Sequence, residues 1–129
     1  YVSLRNDCHF CHSSHAAAAS AHLKDDYKII DAVISNYETA PISDKMKALL
    51  NIAGKVQKGG KYVTAEDIER AKQNGATDDE LHTVVLISAA FCMYNRYVDG
   101  LGTWAPPERV QYAESGKMLA EHGYVNAVS

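Results

Sequence analysis

Apolar residues recur along this chain at helical spacing, and they nowhere alternate long enough to make a strand. The first clear helix starts near Asp7 or Cys8 and runs through Ala16-Ala17-Ala18-Ala19 to about Leu23. Alanine has the best helix propensity, and Asp7 is placed to cap the first turn. A second helix covers Asp25 to Asn36, with Tyr27, Ile30 and Ile34 on one stripe. Pro41 closes the connection, and Ser43 opens a third helix with Met46, Leu49, Leu50 and Ala53 at helical spacing, ended by Gly59-Gly60. Thr64-Ala65-Glu66-Asp67 has a capping-box layout and opens a short helix to Asn74, stopped by Gly75. Thr77-Asp78-Asp79-Glu80 repeats that layout and opens the longest helix, to about Asp99. Gly100 and Gly102 end it, Trp104-Ala105-Pro106-Pro107 is an extended link, and an amphipathic helix follows from about Glu108 to His122. Val33-Ile34-Ser35 and Tyr62-Val63 are too short for strands. The expectation is an all-α bundle of about six to seven helices.

The longest helix is apolar on nearly all sides from Val84 to Met93. A helix of that kind is buried in the centre of a bundle or lies at a subunit interface. With the amphipathic tail helix it offers more apolar surface than one small bundle needs, so a homo-oligomer is expected.

Composition narrows the class. A length of 129 residues predicts a single domain over 1–129. The formal net charge of -3, with basic residues spread out, gives no electrostatic case for nucleic acid or an anionic membrane. No apolar run reaches the length of a membrane span, and no signal-peptide pattern opens the chain, so a cytoplasmic protein is expected. The chain begins at Tyr1 without an initiator Met, and a native segment upstream is expected. The three cysteines argue against a secreted disulfide framework. Cys92, inside the apolar run, reads as a small core hydrophobe.

The chemistry concentrates at Cys8-His9-Phe10-Cys11. Cysteines three apart at a helix start share a face, one turn apart. The positive end of the helix favours a thiolate there. His15 follows on the same face, where an imidazole can take a thiol proton or stabilise the thiolate. The bland alternative is a buried helix that happens to hold these groups, in a non-catalytic helical subunit. Two further alternatives use the same residues. Cys8, Cys11 and His12 spell the c-type haem attachment pattern C-x-x-C-H, for an electron carrier with Met46, Met93 or Met118 as the opposite axial ligand. Against it, the motif heads a strong helix. Zinc on Cys8, Cys11, His12 and His15 is disfavoured, because two turns of one helix cannot surround an ion tetrahedrally. His9 and His12 read as solvent-facing or supporting groups, His82 and His122 as surface residues, and His22 sits near its helix end. Arg96 and Asp99 are spaced to pair, and with Asn95 they read as a structural cluster.

The run C-x-x-C-x-x-x-H at Cys8, Cys11 and His15, followed by Ala16 to Ala19, resembles the alkylhydroperoxidase D-like core of the carboxymuconolactone decarboxylase superfamily. The likeness continues through Ser43 to Gly54, Thr64 to Ile68, Gly75 to Glu80, and Phe91 through Asn95-Arg96 to Gly102. It covers about residues 4–102, with 103–129 as a C-terminal extension helix found in some branches. The resemblance implies an all-α fold, homo-oligomers (dimers, trimers or hexamers), and a thiol-dependent peroxidase or disulfide reductase with no cofactor. It implies that Cys11 is the peroxidatic cysteine, Cys8 the resolving one and His15 the relay. The implied partners are a hydroperoxide substrate and an external dithiol of protein or lipoyl type. The family pattern also has a relay Glu upstream of the first Cys, at a position that precedes Tyr1. The decarboxylases of the superfamily generally lack the CxxC, so its presence argues against lactone decarboxylation.

Overall fold

Helices begin where the sequence supplies caps. The computed structural model describes residues 1–126 and holds, among them, seven α-helices and no strand. They are α1 (Val2–Arg5), α2 (His9–Leu23), α3 (Lys28–Asn36), α4 (Asp44–Lys58), α5 (Ala65–Gln73), α6 (Asp78–Gly100) and α7 (Ala113–His122). Short 3-10 turns stand at Gly60–Tyr62, Arg109–Tyr112 and Tyr124–Asn126.

The main core lies between α4, α5 and α6. Ala48, Leu49, Ile52, Ala71, Ala76 and Leu81 are buried together, with Val56, Val63, Ile68 and Val84 packed around them. Both expected capping boxes are present, and each reaches into α4. Asp67 caps Thr64 and also takes Lys55 at 2.6 Å and Asn51 at 2.9 Å. Glu80 caps Thr77 and takes Lys45 at 2.7 Å. Burial alone would raise the Asp67 carboxyl, but Lys55 and the bonds from Thr64 and Asn51 outweigh it and hold it well below the usual carboxylate range.

Several expectations shift. Helix α1 has no sequence cap, and its four residues were not foreseen. The second helix starts at Lys28 rather than Asp25, because Tyr27 takes a left-handed φ of 66°. Its backbone N–H is held by Ser20 Oγ at 2.9 Å, while Asp25 caps Ile29 at 2.8 Å. The tail helix is split. Glu108 and Gln111 close a capping box on a 3-10 turn, Tyr112 donates its hydroxyl to the Pro106 carbonyl at 2.8 Å, and α7 starts only at Ala113. Of the tail expected to reach 129, residues 127–129 lie outside the described residues.

Helix α7 packs along α2. Contact is so close at Gly116 that a Cβ there would sit 2.5 Å from the Ala17 Cβ and 2.7 Å from the Ala17 carbonyl carbon. Helix α6 buries Leu81, Ser88 and Asn95, yet its outer side is open within this chain. Leu86 is 71% exposed, Met93 58% and Tyr97 67%. The apolar run at 84–93 is therefore not enclosed by the chain's own bundle.

Candidate active site

The start of α2 is built on α1. Asp7 does not cap it. Asp7 takes a left-handed φ of 55° in the turn between the helices, and Cys8 stands at the N-cap instead. The Cys8 backbone N–H donates to the Ser3 carbonyl at 3.0 Å. Beneath this turn runs a chain of amides. Gln57 Nε2 donates to Asn6 Oδ1 at 2.8 Å, Asn6 Nδ2 to Asn95 Oδ1 at 2.8 Å, and Asn95 Nδ2 to Ser3 Oγ at 3.0 Å. Asn95 is 1% exposed, so these bonds satisfy polar groups that would otherwise be costly to bury. The network ties α1, α4 and α6 together and fixes where Cys8 lies.

Cys8 and Cys11 thus occupy the N-cap and third positions of the helix, the two places a capping box uses. Neither side chain closes a cap bond to the first turn. Both are free thiols and both are buried, Cys8 at 0% exposure and Cys11 at 4%. Burial pushes the Cys8 thiol up to about 12, with the neighbouring Cys11 thiol and Asp99 adding to the rise against the pull of the Cys11 backbone amide. The helix end favours a thiolate, but at Cys8 burial wins. Cys8 therefore stays protonated at neutral pH.

His15 lies one turn beyond Cys11. Its Nδ1 stands 2.8 Å from the Cys11 carbonyl oxygen, which can only accept, so Nδ1 carries the proton. Nε2 is then the acceptor, and it takes the hydroxyl of Tyr124. Burial holds the imidazole below its ordinary value, in keeping with the neutral ring. Phe91 of α6 meets the ring edge-on, centroids 4.8 Å apart. The three residues singled out by sequence sit on one stretch of helix, but the imidazole nitrogens engage the Cys11 carbonyl and Tyr124.

The other candidates separate. His9 is exposed and bonds the Pro106 carbonyl at 2.9 Å. His12 is half-buried, and burial lowers its pKa. His82 and His122 are exposed, as expected, and His22 near its helix end is exposed too. Cys92 is partly buried and approached by Asn6 Nδ2 at 3.6 Å, so its thiol belongs to the amide network more than to the apolar core. Arg96 does not pair with Asp99. It donates to the Cys92 carbonyl of its own helix at 2.8 Å, which leaves Asp99 facing Cys8. Tyr112, Tyr124 and Asp99 reach the site from far along the chain; no local pattern flags the two tyrosines, and the Arg96–Asp99 spacing points only to a structural pair. Among the described residues no three His, Cys, Asp or Glu side chains gather into a metal site. None of their helices is long and apolar enough to cross a membrane.

An apolar cleft of about 610 Å³ opens beside the site. His12 and His15 stand on one wall, with Ile30, Ile34, Leu50 and Phe91 among the lining. The haem reading would need both thiols and His12 to face one opening, yet Cys11 lines neither this cleft nor the small hollow that Cys8 shares with His12.

No family model and no curated protein sequence matches the chain. Two solved structures do. One is an alkylhydroperoxidase AhpD core, an uncharacterized peroxidase-related protein from Ralstonia eutropha JMP134, with TM-score 0.77 and 28% identity over 90% of this chain and 59% of that one. The other is an uncharacterized peroxidase-related protein from Silicibacter sp. TM1040, with TM-score 0.73 and 23% identity over 87% of this chain and 56% of that one. The chain spans less than three fifths of either structure's length.

Proposed function

The chain has an alkylhydroperoxidase D-like fold, and from that premise we propose that it is a thiol-dependent peroxidase working through Cys8 and Cys11. The observation that carries the reading is the pair of free thiols at the N-cap and third positions of α2, beside an imidazole held on the next turn. The Cys11 thiolate attacks the distal oxygen of a hydroperoxide, the O–O bond breaks, and Cys11 becomes a sulfenic acid as an alkoxide leaves. The alkoxide takes a proton and departs as an alcohol. The Cys8 thiol then attacks the Cys11 sulfur, the S–O bond breaks, and the disulfide forms with release of water. An external dithiol, of protein or lipoyl type, reduces that disulfide by exchange and is itself oxidised. The cleft next to His15 supports an alkyl hydroperoxide as substrate, with hydrogen peroxide the smaller alternative. A dithiol cycle of this kind belongs in a reducing compartment such as the cytoplasm.

Intact mass after one equivalent of an organic hydroperoxide tests the cycle. The expected result is loss of two hydrogens, mapped by digestion to Cys8 and Cys11, and their retention in Cys11→Ser. Full peroxide consumption by Cys11→Ser would overturn the assignment of Cys11.

The protein also works as a homo-oligomer in this reading. Leu86, Met93 and Tyr97 make one stripe along α6, continued by Leu101 at 68% and Trp104 at 74% exposure. An exposed apolar stripe of this extent supports a covered surface. Light scattering that finds a monomer at micromolar concentration would remove this part of the proposal.

A further inference from the structure

His15 is clamped from two directions, and only one clamp is local. The Nδ1–H donates to the Cys11 carbonyl one turn back, while Nε2 accepts the hydroxyl of Tyr124, which lies 109 residues further along the chain. The Tyr124 ring lies 6.1 Å from the imidazole, and Phe91 meets it edge-on at 4.8 Å. Tyr124 is delivered by α7. That helix can run close enough to α2 only because residue 116 is Gly, against the Ala17 and Ala18 backbone. The sharp turn into Tyr124 follows at Gly123, whose φ is 63°.

On the peroxidase reading above, we propose that Tyr124 is a positioning residue that holds His15 in its Nδ1–H tautomer and carries the proton exchanged at Nε2. A carbonyl on Nδ1 and a hydroxyl donor on Nε2 leave the neutral ring one tautomer. With Nε2 covered, a proton reaches or leaves it through the phenol oxygen, which has lone pairs to spare. The phenol gives its proton to Nε2 as it takes the Cys11 S–H proton, which leaves the attacking thiolate and an imidazolium; when an alkoxide leaves, Tyr124 gives it the O–H proton as imidazolium Nε2–H reprotonates the phenol oxygen. The net change is imidazolium plus alkoxide to imidazole plus alcohol, with Tyr124 restored. Burial, with the charge of nearby Cys11 adding to it, holds the Tyr124 hydroxyl above its ordinary value, so it stays a donor at neutral pH.

The test is Tyr124→Phe, which keeps the ring and removes the hydroxyl at a largely exposed position. Two measurements read it. In 15N spectra of the reduced protein, the His15 Nε2 signal is expected to move toward that of an unbonded acceptor nitrogen, and Gly116→Ala, which pushes α7 away, should move it the same way. An unchanged signal in Tyr124→Phe overturns the proposal. Peroxide consumption is expected to fall about a hundredfold, the low end for a lost proton-transfer partner, and to fall no further when Tyr124→Phe is added to His15→Ala. Losses that multiply in the double variant overturn the relay, because Tyr124 then acts other than through His15. If the wild-type protein consumes no hydroperoxide, the peroxidase reading fails, while the nitrogen signal still decides whether Tyr124 sets the tautomer.

Discussion

Helices α2, α5 and α6 all begin at an N-cap, yet their ends are used in opposite ways. At α5 and α6 a threonine hydroxyl accepts the third N–H and an acidic side chain returns to the threonine N–H. Those acids then bond to α4 lysines, so the positive helix end is spent within the fold. At α2 the same two positions hold Cys8 and Cys11, no side chain closes the cap, and no acid sits in the first turn. Sulfur is a weak acceptor, so the first turn of α2 keeps its donors for whatever charge forms on the thiols. In the proposed peroxidase reading, stability is taken from two helix ends and reactivity is kept at the third.

The largest effect expected from this contrast is on turnover in Cys8→Ser. A serine hydroxyl can fill the cap but cannot form a disulfide with an oxidised Cys11. The variant should form the Cys11 sulfenic acid with one equivalent of hydroperoxide per chain. Consumption should then stall near the background rate when the reductant reacts only with disulfides. Stopped-flow kinetics with such a reductant separates the two phases. Wild-type steady-state rates in Cys8→Ser would mean that Cys8 resolves nothing.

Next in size is the pH response of the two thiols. Burial pushes Cys8 up to about 12, so only a trace is thiolate at neutral pH, and each unit of pH below that value raises the trace about tenfold. Iodoacetamide labelling of Cys8 in the folded, reduced protein should therefore climb about tenfold per pH unit from 8 to 11 without a plateau. Peptide mapping reads this directly. A plateau near pH 9 would show that the Cys8 environment does not suppress its ionisation, and the contrast between a reserved and an attacking thiol would go with it.

The parts of this arrangement that sequence revealed are those written locally. Thr64 and Thr77 carry their own partners three residues on, and the Cys8, Cys11, His15 spacing lies within two turns of one helix, so both could be read without a fold. What could not be read depends on chain segments that meet only after folding. The Ser3–Asn95 bond spans 92 residues, and the His15–Tyr124 bond spans 109. Asp7 was the better cap on propensity, but the chain reverses through a left-handed turn at that residue and hands the position to Cys8. The apolar run of α6 was recognised as needing cover. The pattern alone could not say which side the bundle would take and which it would leave open.

The smallest effect is the most direct test of the contrast, because it compares two caps on one scale. Thr77→Ala removes the hydroxyl that accepts from Glu80 N at 3.1 Å, and loss of such a cap costs about 1 kcal/mol. Glu80 keeps its ion pair with Lys45, which limits the damage to the cap itself. Cys8→Ser runs the other way. It puts a preferred N-cap residue where the thiol closes no cap bond, and the gain expected is about 0.5 kcal/mol, at the low end for a new cap. The gain is small because Cys8 is fully buried and the smaller side chain gives up some packing. Denaturant unfolding of both variants, reduced and at one pH, should move their midpoints in opposite directions. If Cys8→Ser instead loses as much as Thr77→Ala, the thiol already supports the helix start. The open end of α2 would then be a stability feature and not a reserve for chemistry.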